Sequence, residues 1–259
     1  MRYSILVLAL LSTPAFATDP NATGPNKVYI EQIGNTNTVT IEQVGGTNNI
    51  GGINGTTNVS GTDHSTTHTP DAPSSLNYAL INGNTNVVTL TQTGNNNSAQ
   101  YNIKGSQNTY TSTITGHNNK TKLKLGDANT NNLRNTITEA ITGNDNLSIQ
   151  TLLGNDITST TTITGSTNQI TQDLKSTNGS STNAITGSNN IVFTEQSDSA
   201  GANGHVLNNM IAGDYNSIMT QQQGSNDTTV DIQTTGSHNT ITVRTSSSAI
   251  VNPVTAIAR

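Results

Sequence analysis

The chain has 259 residues, of which 30% are hydrophobic, 3% aromatic and 10% charged, with a formal net charge of −5. So few large apolar side chains exclude a bulky three-dimensional core, and the absence of cysteine excludes a disulfide scaffold or a thiolate metal site. The low charge density does not fit charge-driven disorder, and the slight acidity argues against a nucleic-acid partner, which calls for basic stripes.

Residues 1–17 read as an export signal. Arg2 precedes an apolar run over 5–11, Pro14 breaks it, and Ala15-Phe16-Ala17 places small residues at cleavage spacing. The run is too short to span a bilayer, and no later segment approaches that length, so no stable membrane span is expected. Residues 18–27 form a flexible leader with two prolines, Pro20 and Pro25. The first repeats occupy 28–60, a linker or insertion 61–77, a longer repeat array 78–245, and a tail or cap 246–259. A smaller insertion is expected at 199–205.

Within the arrays one spacing recurs, Gly-x-x-Asn. It is seen at Gly34/Asn37, Gly45/Asn48, Gly83/Asn86, Gly94/Asn97, Gly105/Asn108 and Gly116/Asn119. It continues at Gly126/Asn129, Gly143/Asn146, Gly165/Asn168, Gly187/Asn190, Gly213/Asn216 and Gly236/Asn239. Gly154 and Gly224 keep the 11-residue step without the Asn, and Ser176 and Asp198 stand where a turn glycine is expected. Between the turns, residues alternate strictly. Val39, Ile41 and Gln43 share one parity; Thr38, Thr40 and Glu42 share the other. Alternation rich in Thr, Val and Ile predicts strands, and glycine every 11 residues argues against helix. Lys120, Lys122, Lys124, Glu31, Glu42, Asp173 and Lys175 all fall on the outer parity. Glu139 lands on the inner one, where a β-bulge would turn it outward.

Eleven residues of strand and turn bury nothing alone. Two such units make a flat coil of 22 residues with a strand on each side. The expectation is an all-β, two-sheet β-solenoid of cross-β character, with coils stacked at about 4.8 Å and sheets about 10 Å apart. Inward amides (Gln32, Asn37, Gln43, Asn48, Asn86, Gln92, Asn97, Asn108 and Gln222) are then expected to bond their copies one coil away.

Gln32-Ile33-Gly34-Asn35-Thr36-Asn37, Gln43-Val44-Gly45-Gly46-Thr47-Asn48 and Gln92-Thr93-Gly94-Asn95-Asn96-Asn97 resemble the curlin repeat of bacterial curli fibres. Later repeats depart from it: Ile114, Ile141, Ile163, Ile185 and Ile211 replace the Gln, and Asp227 stands for an Asn. The resemblance implies secretion through an outer-membrane pore with accessory chaperones. It also implies assembly, with itself and with other curlin-like subunits, into extracellular functional amyloid at the cell surface in biofilm. By the same resemblance 18–27 is a secretion address; read without it, the segment is a flexible start.

No catalytic chemistry stands out, and no cofactor is expected. His64 and His68 with Asp63 and Asp71 form a polar loop rather than a convergent metal shell. His117, His205 and His238 fall in turns or insertions, and the glycines lack a phosphate-binding context. The lysines at 120, 122 and 124 read as a solvated face, or as a patch for an anionic matrix polymer. An enzyme on a β-helix would need clustered acids or bases in a groove, and none is found. The alternative to a fibre subunit is a monomeric solenoid that binds a surface, as an adhesin or an ice binder. Its signature is stacked Thr-x-Thr, as at Thr91/Thr93 and Thr113/Thr115, with Ala140 and Gln221 expected to interrupt the array.

Overall fold

The computed structural model describes residues 26–52, 79–126, 132–197, 204–224, 226–247 and 254–258, the last of these and 246–247 by backbone alone. The first strands are β1 (Lys27–Val28), β2 (Ile30–Ile33), β3 (Thr38–Val44), β4 (Asn49–Gly51), β5 (Ala79–Asn82), β6 (Val87–Thr93) and β7 (Ser98–Lys104). They are followed by β8 (Thr109–Thr115), β9 (Lys120–Leu125), β10 (Thr136–Thr142), β11 (Leu147–Leu152), β12 (Thr158–Thr164) and β13 (Gln169–Lys175). The last are β14 (Ser180–Thr186), β15 (Ile191–Ser197), β16 (Val206–Ala212), β17 (Ser217–Gly224), β18 (Thr229–Thr235), β19 (Thr240–Ser247) and β20 (Val254–Ala258).

Every pairing is parallel and joins a strand to its counterpart one coil away. One sheet, here sheet A, runs β1-β4-β7-β9-β11-β13-β15-β17-β19, with β2 and β5 extending its first two rungs; sheet B runs β3-β6-β8-β10-β12-β14-β16-β18-β20. The result is the all-β solenoid that the 22-residue arithmetic predicts, and no described residue is helical. Rungs repeat in register: Ile141 pairs with Ile114 and Ile163, and Ile163 pairs with Ile185. The isoleucines that replace the repeat's Gln therefore stack as one buried apolar column.

The inner parity is buried throughout the middle coils. Val88, Leu90, Tyr101, Ile103, Tyr110, Leu123 and Ile137 form an apolar cluster toward the N-terminal end; Ile163, Ile170, Ile185, Val192, Leu207, Ile218 and Ile232 form another toward the C-terminal end. Between them runs a polar seam. Ser159 Oγ lies 2.9 Å from Gln150 Oε1 and 2.8 Å from Gln172 Oε1, sharing one proton between them; Gln172 donates to Ser181, Asn183 donates to Ser181, and Asn209 donates to Asn183.

The insertion does not separate two stacks. β4 pairs with Ser98–Gln100 of β7, and β5 pairs with Asn102–Lys104 of the same strand. Residues before and after the insertion thus share one rung, and the repeats on either side belong to one solenoid.

Two predicted features differ. Glu139 is not turned out by a bulge; it stays in register opposite Ser112 and Thr161, pointing inward and almost fully buried. The expected Gly126/Asn129 turn is also not the one that closes the coil. Asn129 lies outside the described residues, and Asn132-Leu133-Arg134-Asn135 makes the turn, with the Asn132 carbonyl stacked under Gly105 where other coils place a glycine. The leader before residue 26, the 61–77 segment with His64 and His68, Asp198, and most of the tail lie outside the described residues.

Candidate functional site

Each coil turns two corners, and the sequence of each corner decides what it can do. At the corner from sheet B to sheet A the four-residue code is kept in every coil: Gly45, Gly94, Gly116, Gly143, Gly165, Gly187, Gly213 and Gly236 open it. Three residues later stand Asn48, Asn97, Asn119, Asn146, Asn168, Asn190, Asn216 and Asn239, and Asn26 precedes them in the same column.

The code has two physical reasons. The residue before each of Asn48 to Asn239 in this column sits in the left-handed region, with φ between 56° and 62°, a conformation that Asn, Asp and His accept most readily and that Thr47, Thr167 and Tyr215 also hold here. The opening residue must be glycine because coils approach backbone to backbone. A Cβ on Gly165, at φ 130°, would lie 1.8 Å from the Gly187 carbonyl oxygen.

The asparagines form a continuous ladder whose groups are nearly saturated. The Asn119 amide N–H and Nδ2 both donate to Asn97 Oδ1, at 3.0 and 3.1 Å. Nδ2 also donates to the Gly143 carbonyl at 2.7 Å. Asn119 Oδ1 in turn accepts from the Asn146 N–H and Nδ2, at 3.1 and 3.0 Å. An unpaired buried amide costs about 1–3 kcal/mol; here each rung supplies its neighbour's missing partner, so fully buried asparagines are tolerated in a chain poor in apolar residues.

At the corner from sheet A to sheet B the same ladder starts and then stops. Asn37, Asn86, Asn108 and Asn135 are linked. Ile157, Gly179, His205 and Thr228 hold the next four positions of that column. Gly34, Gly83, Gly105, Gly154 and Gly224 open turns here, while Asn132 and Ser176 replace glycine in others. His205 was not legible as an interior residue. It is fully buried, with Nε2 3.1 Å from the Ser197 carbonyl and Nδ1 2.8 Å from Thr228 Oγ1. Its place in the Asn column, just ahead of the alternating stretch 206–212, was the available signal.

The predicted glutamine ladder is shorter than the asparagine one. Gln92 donates to Gln43 at 3.2 Å, and Gln196 to Gln222 at 2.9 Å. Gln32, however, faces Ile81 in the next coil, so no amide lies opposite it there. Asn48, Asn86, Gln92, Asn97, Asn108 and Gln222 are fully buried; Gln32, Asn37 and Gln43 are half-buried because they line the first coil.

Among the described residues that first coil is an open end. Val39, Ile41 and Gln43 face inward but stay half-exposed, whereas Val88, Leu90 and Gln92, one coil on, are at most 1% exposed. On this side β3 is the edge of sheet B. At the other end β20 covers β18 in sheet B, and β19 is the edge of sheet A.

Burial raises the pKa of the Tyr101 and Tyr110 hydroxyls and of two carboxyl groups. Glu139 is raised by loss of solvent, partly offset by bonds with Ser148, Ser112, Gln150 and Tyr110. Tyr110 Oη lies 3.2 Å and Ser112 Oγ 3.0 Å from Glu139 Oε2, while Gln150 Nε2 lies 3.2 Å from Oε1. Asp173 points outward as predicted, yet it is 5% exposed and raised by desolvation, against the opposing pull of Lys175 at 2.6 Å. The lysines at 120, 122 and 124 are half-buried rather than freely solvated.

The outer faces of the two sheets differ. On sheet B, Thr40, Thr89, Thr111, Thr138, Thr160 and Thr182 stack in one column, and Thr93, Thr115, Thr142, Thr164 and Thr186 in another. The expected interruption is therefore limited. Ala140 breaks only the column of Thr113 and Thr162, and Gln221 lies on sheet A.

Among the described residues no group of three His, Cys, Asp or Glu side chains is placed to hold a metal ion, and no helix is long and apolar enough to cross a membrane. A groove of about 630 Å³ follows the asparagine corner, lined by Asn118, Asp145, Thr167, Asn189, Lys120 and Gln169 among others. The chain matches no family model, no curated protein and no solved structure.

Proposed function

We propose that this chain is a secreted structural subunit that self-assembles into curli-like amyloid fibres for surface adhesion and biofilm matrix. The observation that carries the reading is the open first coil. Its inward Val39 and Ile41 stay half-exposed on a strand edge unpaired among the described residues, in a fold whose inner rungs are each satisfied by stacked copies on both sides. Covering them with another coil gains roughly 1 kcal/mol per apolar side chain, besides a ladder of main-chain bonds. Unpaired edges recruit strands, and nothing on the outer parity of β3 apart from Glu42 carries charge. The subunit works as building material rather than as an enzyme; its partners are copies of itself, other curlin-like subunits, and the outer-membrane pore and chaperones that deliver it.

The test is the purified mature chain, followed by thioflavin fluorescence, electron microscopy and fibre diffraction. Cross-β filaments are expected, with Gln43→Ala and Asn48→Ala slowing assembly more than Thr40→Ala. A chain that stays monomeric for days at high concentration overturns the reading.

A second reading rests on the threonine columns of sheet B. Between Glu42 and Asp231 the outer face of that sheet carries no charged residue, and its threonines repeat at the strand spacing of about 4.8 Å. A regular hydroxyl and methyl surface suits a monomeric solenoid that binds ice or another ordered surface. Inhibition of ice recrystallisation by the monomer, lost in Thr138→Tyr and Thr160→Tyr, supports this second reading; no inhibition removes it.

A further inference from the structure

Given the self-assembly reading, on which this inference rests, the register of the sheets specifies how two copies meet. We propose that assembly is polar, with the first rung of one copy seated on β19 of a second copy and Glu31 placed directly across from Arg244.

Three observations converge. The first is the direction of the asparagine ladder. In every coil Oδ1 accepts from the coil that follows, so the column runs from Asn26, whose Oδ1 receives the Asn48 N–H at 3.0 Å, to Asn239, which donates to Asn216 Oδ1 at 3.0 Å. Asn239 Oδ1 therefore ends the column as an acceptor without a donor among the described residues. At the opposite end the Asn26 N–H is a donor without an acceptor among the described residues. Only a head-to-tail contact matches them; two like ends set donors against donors or acceptors against acceptors.

The second is charge. Following one outer column through sheet A, the registered residues are Glu31, Leu80, Asn102, Lys124, Thr151, Asp173, Glu195, Gln221 and Arg244. A further coil added in the same register brings Glu31 of the incoming copy to the place beside Arg244. Both side chains are exposed, and neither has an ionic partner among the described residues. Two copies meeting by their first rungs would instead bring Glu31 toward Glu31, and would pair strands antiparallel where every ladder in the molecule is parallel.

The third is the apolar match on sheet B. The column of Val39 passes through Val88, Tyr110, Ile137, Ser159, Ser181, Leu207 and Val230 to the register position of Val254. By the same count Ile41 falls at Ala256 and Gln43 at Ala258. The half-exposed residues of the first coil thus continue onto aliphatic positions of β20.

The experiment uses the mature full chain. Glu31→Arg and Arg244→Glu each place like charges across the joint. Each variant alone is expected to elongate roughly fivefold more slowly than the parent at low salt, with the difference vanishing near 1 M salt. An equimolar mixture of the two variants restores opposite charges at every joint and is expected to recover the parent rate as an alternating copolymer. Single variants that elongate like the parent, or a mixture no faster than either variant, overturn the polar joint while the parent's filaments leave the assembly reading standing. A parent that forms no filaments overturns both.

Because the chain has no cysteine, a second measurement is clean. Glu31→Cys and Arg244→Cys chains, mixed and oxidised, are expected to give a disulfide-linked dimer that neither gives alone. Within one copy the two sites lie roughly 40 Å apart, beyond disulfide reach. A dimer formed by Glu31→Cys alone in equal yield, or none in the mixture, counts against the polar joint.

Discussion

The two corners of the coil begin with the same code and end differently. At the corner from sheet B to sheet A, eight consecutive turns keep Gly-x-x-Asn, and the asparagine column is unbroken. At the corner from sheet A to sheet B the column passes from Asn135 to Ile157, Gly179, His205 and Thr228. Apart from the 49-residue step from β3 to β6, which carries the insertion within a rung of sheet A, the departures from even spacing gather at this second corner, between β9 and β10, between β15 and β16, and between β17 and β18. A saturated ladder fixes the length of its turn, since one extra residue would leave several buried amides unpaired. A corner held by apolar packing and scattered side-chain bonds has no such stake in register.

The largest effect that breaks this contrast is expected at the intact corner. Gly165→Ala drives a Cβ onto the Gly187 carbonyl at an unfavourable φ, and should cost about 3–5 kcal/mol in denaturant unfolding. Ser176→Ala, at the equivalent place on the other corner, where φ is not positive, serves as its control. Asn168→Ala is next. It removes the acceptor used by the Asn190 N–H and Nδ2, and should cost about 2–3 kcal/mol. A two-residue Gly-Ser insertion after Asn168 should lower the melting temperature more than the same insertion after Gly179.

A third test sharpens the view of the interior. Because burial raises the Glu139 carboxyl, the folded chain holds that proton to higher pH than the unfolded chain does. The contribution of Glu139 to stability is therefore fullest at or below the ordinary carboxylate pKa, about 4.3, and declines as pH rises from there toward the folded value. Glu139→Gln removes this part of the slope. Urea midpoints for parent and variant should diverge as pH rises above that range. The smallest expected effect is Ser176→Ala, within about 0.5 kcal/mol by thermal melting.

Strand parity was readable because the alternation has a period of two and the turns repeat their glycines. The buried places of Asn86, Asn97 and Asn108 followed directly. What the repeat could not convey was the sheet to which a later strand belongs. Gln221 was read as interrupting the threonine array of Thr91 and Thr113, yet it lies on sheet A. The insertions after β9 and β15 break a count by elevens, which is why the Asn132–Asn135 turn was misplaced and His205 went unnoticed inside an apparent loop. Glu139 was misjudged for another reason. Charge alone suggested an outward bulge, whereas a cluster of hydroxyl and amide donors drawn from both sheets makes the inward position tolerable.

One rung is interrupted halfway. β4 ends at Gly51 and β5 begins at Ala79, and the two halves occupy adjoining positions along β7. A stack that accepts such a break at one level offers a grafting point: a foreign module spliced between those residues would be carried on the flank of every subunit, repeated once per subunit length along a filament, without disturbing either corner.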